Sequence, residues 1–106
     1  MNERANGDPP AEPDAGKPRF ETGRLVATPG ALTALEEAGQ HWMEFLSRHL
    51  AGEWGELEEE DRIANDRALP TGERLLSAYP LASGEKLWII MEWDRSATTI
   101  LMPRDY

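Results

Sequence analysis

The five consecutive apolar residues Leu87-Trp88-Ile89-Ile90-Met91 form the longest such run in the chain, and they constrain it most. A membrane-spanning helix needs roughly 20 such residues, so this run is far too short to be one. Turn-forming residues flank it, Ala82-Ser83-Gly84-Glu85 before and Asp94-Arg95-Ser96 after, which makes residues 86–93 a strand. Alternation puts Leu87, Ile89, Met91 and Trp93 on one face and Trp88 and Ile90 on the other. Apolar residues on both faces need cover on both, so the strand is expected at the centre of a sheet.

Its neighbours follow from the same turns. Residues 73–81 read as a strand with Leu75, Ser77, Tyr79 and Leu81 on one side, and Pro80, which has no N–H, assigns that end to an edge. Residues 97–102 return as a strand, so the three make an antiparallel meander. The helices come as a block before it. Thr28 is the N-cap and Pro29 the first residue of a helix over residues 29–38, with Leu32 and Leu35 on one face and Gly39 as its stop. Trp42, Phe45, Leu46, His49 and Leu50 recur at helical spacing up to Gly52. A third helix is expected over residues 58–69, opening with Glu58, Glu59, Glu60 and Asp61 and broken by Pro70-Thr71-Gly72. With Leu25-Val26-Ala27 as a short strand able to join the sheet, the expected class is α+β: about three short helices packed on a three- to four-stranded antiparallel sheet.

Residues 1–19 hold four of the eight prolines and no Val, Ile, Leu, Phe, Tyr or Trp. Such a stretch cannot bury enough apolar surface to offset the entropy of ordering it, and it is expected to be a disordered tail before a single domain over residues 20–106.

Charge narrows the partners. The chain carries 20 acidic against 11 basic residues, a formal charge of -9. Residues 36–66 hold ten of the acids and only two of the bases, so the acidity belongs to the helical segment while the rest is nearly neutral. Phosphate binding is driven by Lys and Arg releasing counterions, which argues against bare DNA and anionic membranes as partners and leaves a protein with a basic surface. The absence of cysteine removes disulfides, thiolate nucleophiles and cysteine metal sites, and the first residues contain no signal-length apolar run. The expected setting is the cytoplasm.

Two groups of residues are candidates for function. The first is an acidic docking surface made by Glu53, Glu56, Glu58, Glu59, Glu60 and Asp61 around Trp54, an aromatic within an acidic rim. The second is a polar cluster of Asp94, Arg95 and Thr98, with His41 or His49 brought close by the fold, lining a small anionic-ligand or RNA-cleaving site. No metal and no cofactor are expected, because His41 and His49 stand eight apart rather than four and no phosphate-cradling glycine loop is present. No catalytic residue is assigned.

The runs Arg24-Leu25-Val26-Ala27-Thr28-Pro29-Gly30-Ala31-Leu32, Phe45-Leu46-Ser47-Arg48-His49 with Gly52, Trp54 and Gly55, Asn65-Asp66, Arg74-Leu75-Leu76-Ser77-Ala78-Tyr79 and Trp93-Asp94-Arg95-Ser96-Ala97-Thr98-Thr99-Ile100-Leu101 resemble a family of small bacterial proteins called plasmid-related. The resemblance covers residues 23–106 and implies an association with plasmids and integrating conjugative elements, with no catalytic residues to carry over. The leading expectation is a non-enzymatic accessory protein of a mobile element that binds a basic protein through its acidic helical face, an anti-defence role included. The alternatives are a small nuclease-like or toxin-like enzyme using the second cluster, and a homodimeric module with Trp88 or Trp93 on an exposed sheet face.

Overall fold

In the computed structural model, which describes residues 18–92 and 95–106, the apolar run forms β3, Lys86–Met91, an interior strand of a four-stranded sheet. It pairs antiparallel with β2, Leu75–Pro80, and with β4, Ala97–Leu101. The sheet order is β1-β4-β3-β2, where β1 is Arg24–Ala27. The meander is as expected, and so is the edge position of β2.

The sheet as a whole is mixed rather than antiparallel. β1 runs parallel to β4, with Leu25 opposite Thr98 and Ala27 opposite Ile100. The reason is chain order: three helices and two strands intervene between β1 and β4, and a crossover of that length lets a strand return in the same direction.

The helices are α1, Pro29–Ala38, α2, Trp42–Leu50, and α3, Glu59–Thr71. Thr28 caps α1 by accepting the Ala31 N–H, and Gly39 ends it in the left-handed conformation. Its buried face is Ala31, Ala34 and Leu35, whereas Leu32 is 48% exposed and takes no part in the core. His41 is the N-cap of α2, its ring nitrogen accepting the Met43 N–H, and so is not on the same helical face as His49. α3 continues through Pro70 to Thr71, two residues beyond expectation, because a proline in the last turn forfeits only one backbone bond before Gly72 stops the helix.

One face of the sheet carries Leu75, Ser77, Tyr79, Leu87, Ile89, Met91, Thr98 and Ile100, all buried under the helices. Two clusters fill the space: Ala31, Leu35 and Phe45 against Tyr79, Leu87, Ile89 and Ile100, and Trp54 and Ala68 against Leu75 and Met91. The opposite face, with Leu76, Ala78, Trp88 and Ile90, has no helix layer among the described residues; a 3-10 turn, Pro103–Asp105, and Tyr106, whose ring meets Trp88 at 5.9 Å, partly cover it. No helix among the described residues is long and apolar enough to cross a membrane. Residues 1–17 of the expected tail lie outside the described residues, as do Trp93 and Asp94; the described fold is anchored from Arg19, whose N–H donates to the Leu50 carbonyl at 2.7 Å.

Candidate functional site

The acidic segment is held in place by polar bonds more than by apolar packing. Of the thirteen residues of α3 only Asn65 and Ala68 are buried. Asn65 bonds both backbone groups of Leu76 on β2, Arg62 donates to the Gly55 carbonyl at 2.7 Å, and Asp66 accepts the Trp54 indole N–H at 3.1 Å. The helix thus lies along the outer edge of β2. Next to it, residues 54–56 make a parallel bridge to β2: Ala78 donates to the Trp54 carbonyl at 3.0 Å and accepts from the Glu56 N–H at 2.7 Å. Gly55 makes this approach possible, since at φ 81° any Cβ would run into the Ala78 carbonyl oxygen.

The six expected acids divide into two groups. Glu53 pairs with Arg48 at 3.6 Å and Glu56 with Lys86 at 2.9 Å. Glu58, Glu59, Glu60 and Asp61, all exposed, have no cationic partner among the described residues. They stand at the N-terminus of α3, where the helix dipole favours negative charge. Ile63, 44% exposed, interrupts the charged surface with one apolar side chain.

Trp54 is not the aromatic of this rim. It is 3% exposed and packs with Leu75, Met91 and Ala68, its ring stacked on Phe20 at 6.4 Å. The bridge to Ala78 turns the 54–56 segment into the sheet and carries the indole into the core. The aromatic that shares a groove with three of the acids is Trp88. With Leu76 and Ala78 it floors a groove of about 550 Å³ whose other side is lined by Glu56, Glu58 and Asp61. The signal was present in the alternation of β3, which sets Trp88 opposite the helix-covered face; what the sequence did not show was that α3 would flank the same face.

The second cluster converges, but on a structural task. Thr98, fully buried, donates to the Thr22 carbonyl at 2.7 Å. Arg95 donates to the Ala68 carbonyl near the end of α3 and to the Glu73 carbonyl at 3.3 Å, and its guanidinium sits 5.6 Å from the Phe20 ring centre. It therefore caps the C-terminus of α3, and burial draws its pKa below the usual arginine value. Arg95 has φ 57°, uncommon for a residue with a side chain. His49 is fully buried, with Phe20 and Trp54 rings edge-on to it at 5.5 and 5.6 Å. Its Nδ1 shares a 2.6 Å hydrogen bond with Ser77, and its Nε2 has no hydrogen-bond partner among the described residues. Burial, and secondarily the charge of Arg95, push its pKa down to about 4, so the ring is neutral at pH 7. His49, Arg95 and Thr98 all fasten residues 20–22; Asp94, the fourth member, lies outside the described residues. His41 stays apart at the start of α2.

Ser77 extends the buried polar contacts to Tyr79, whose hydroxyl donates to the Glu53 carbonyl at 2.5 Å. Burial drives the Tyr79 pKa up to about 12, against the opposing pull of the Ser77 hydroxyl and Arg48. Among the described residues no three His, Asp or Glu side chains gather in a set that could hold a metal ion. No family model, no curated protein and no solved structure matches the chain.

Proposed function

We propose that this protein is a non-enzymatic binding protein that docks a partner with a basic surface through the acidic side formed by the start of α3. Its resemblance to plasmid-related proteins makes it, on this reading, a cytoplasmic accessory factor of a bacterial mobile element. The observation that supports docking is the disposition of α3: a thirteen-residue helix that buries only two side chains and, with its N-cap Glu58, leaves four adjacent carboxylates exposed and without cationic partners among the described residues. A helix kept mainly for the core would bury an apolar stripe; this one presents charge to solvent. Complementary charge speeds encounter and selects partners, and it excludes bare nucleic acid from the same surface.

The test is capture from bacterial lysate at low and high salt by the wild-type chain and by the triple variant Glu58→Lys, Glu59→Lys, Glu60→Lys, with circular dichroism confirming that the variant is folded. Partners retained at low salt and lost both at high salt and on charge reversal support the reading. An unchanged set of captured proteins sinks it.

A further inference from the structure

We infer that the groove between the start of α3 and the open face of the sheet takes one arginine side chain of a basic peptide segment, laid on the Trp88 ring and paired with Glu58 and Asp61. This rests on the proposal that the partner is basic and names the place where it is read.

Three features of the groove select such an occupant. Its floor is apolar and aromatic, with Leu76, Ala78 and the half-buried Trp88, so an aliphatic stem loses nothing by entering. Its wall carries three carboxylates, of which, among the described residues, only Glu56 has a cation, Lys86 at 2.9 Å. An anion would meet Glu58 and Asp61 unscreened, and a neutral apolar side chain would strip them of water without replacing its hydrogen bonds. The Lys86 ammonium, two residues from Trp88 on the same face of β3, shows the third feature: the groove already accommodates one cation at a carboxylate. A guanidinium suits the remainder better than an ammonium, because it stacks flat on an indole and donates two parallel bonds to a carboxylate. The volume, about 550 Å³, accepts the side chain together with flanking backbone.

The experiment is an NMR titration of the ¹⁵N-labelled full chain with acetyl-Gly-Gly-Arg-Gly-Gly-amide, and with the same peptide carrying citrulline, the uncharged isostere of arginine. The arginine peptide is expected to move the Trp88 indole and Lys86 amide signals saturably, and the citrulline peptide to leave them in place. Trp88→Ala and, as a variant that leaves the apolar floor intact, Glu58→Gln with Asp61→Asn should each weaken binding at least about fivefold, the scale of losing one cation–π or charge-assisted contact. Glu36→Gln with Glu37→Gln, exposed on α1 and not among the residues that line the groove, should bind as the wild type does. If the arginine peptide shifts only residues near Glu59, Glu60 and Ile63, or binds both groove variants undiminished, the groove assignment is overturned while the basic-partner reading stands. Equal binding of the citrulline peptide overturns the selection of a cation. If the arginine peptide moves no resonance, both readings fall together.

Discussion

The Asn65 carboxamide spans the backbone of Leu76, donating to its carbonyl at 2.6 Å and accepting its N–H at 3.2 Å, as a neighbouring strand would. Two hydrogen bonds from a side chain only 4% exposed tie the acidic helix to the edge of the sheet. Asn65→Ala removes both and leaves two backbone groups without partners, which should cost about 2 kcal/mol in urea unfolding. Asn65→Asp should do at least as much harm, since a carboxylate cannot donate to the Leu76 carbonyl. A loss under about 0.5 kcal/mol for both variants, the range of ordinary surface changes, would show that the bridge is not what holds α3.

The buried His49 makes the fold sensitive to mild acid. In the unfolded chain this ring takes up a proton near pH 6.5, in the folded chain only near pH 4. Between those values the unfolded state binds more protons, so stability rises with pH and falls as pH drops through that window. The contribution present at pH 7 and lost by pH 4 is about 3 kcal/mol. Urea titrations of the wild type and of His49→Gln at pH 7, 5.5 and 4 should show the variant less stable at pH 7 but with a shallower decline. Parallel slopes would remove His49 from the account.

Gly55 and Gly39 share the left-handed conformation, with φ 81° and 70°, but differ in what surrounds them. Nothing lies within 4 Å of a Cβ at Gly39, whereas one at Gly55 would strike the Ala78 carbonyl and the Tyr79 ring. Gly39→Ala should therefore cost only the backbone strain, about 1 kcal/mol. Gly55→Ala adds displacement of the bridge to β2 and should exceed about 2 kcal/mol. Thermal melts of the two variants measure the difference, and equal losses would contradict the close approach.

Trp54 belongs to the core, so its removal should show in folding. Trp54→Ala should cost about 3–5 kcal/mol. Trp54→Phe keeps most of the packing but loses the 3.1 Å bond to Asp66, for a cost of about 1 kcal/mol beyond the change in size. Glu59→Gln and Glu60→Gln should leave stability within about 0.5 kcal/mol of wild type. A Trp54→Ala variant that melts like the wild type would return this residue to the exposed rim.

Periodicity and capping made much of the fold legible. The alternation in residues 86–91 located the interior strand, Pro80 located the edge, and Thr28-Pro29 with Gly39 set α1 to the residue. The direction of β1 was not legible, because a four-residue strand carries no sign of which neighbour it will join. Leu32 illustrates a related limit: helical spacing proposes a face, but the two alanines beside Leu35 let α1 approach the sheet on a slightly rotated face. For the candidate site, composition located the acids that stand at the start of α3. It attached them to the nearest tryptophan in sequence, whereas the bridge at Gly55 buries that ring and brings Trp88, over thirty positions away in the chain, to the same carboxylates. Arg95 and Thr98 read as reactive because buried polar groups and ligand-binding groups use the same residue types; only their partners tell them apart.

The closed margin of β2 has a consequence for assembly. Asn65 occupies Leu76, the 54–56 segment occupies Ala78, and Pro80 has no N–H, so no further strand can be laid on that side. β1 forms the other margin, and no strand among the described residues lies beyond it. With β2 blocked, and β1 the open margin among the described residues, the sheet cannot grow into a ribbon by strand pairing: two molecules joined margin to margin have used up both open sides, and such growth stops at a pair.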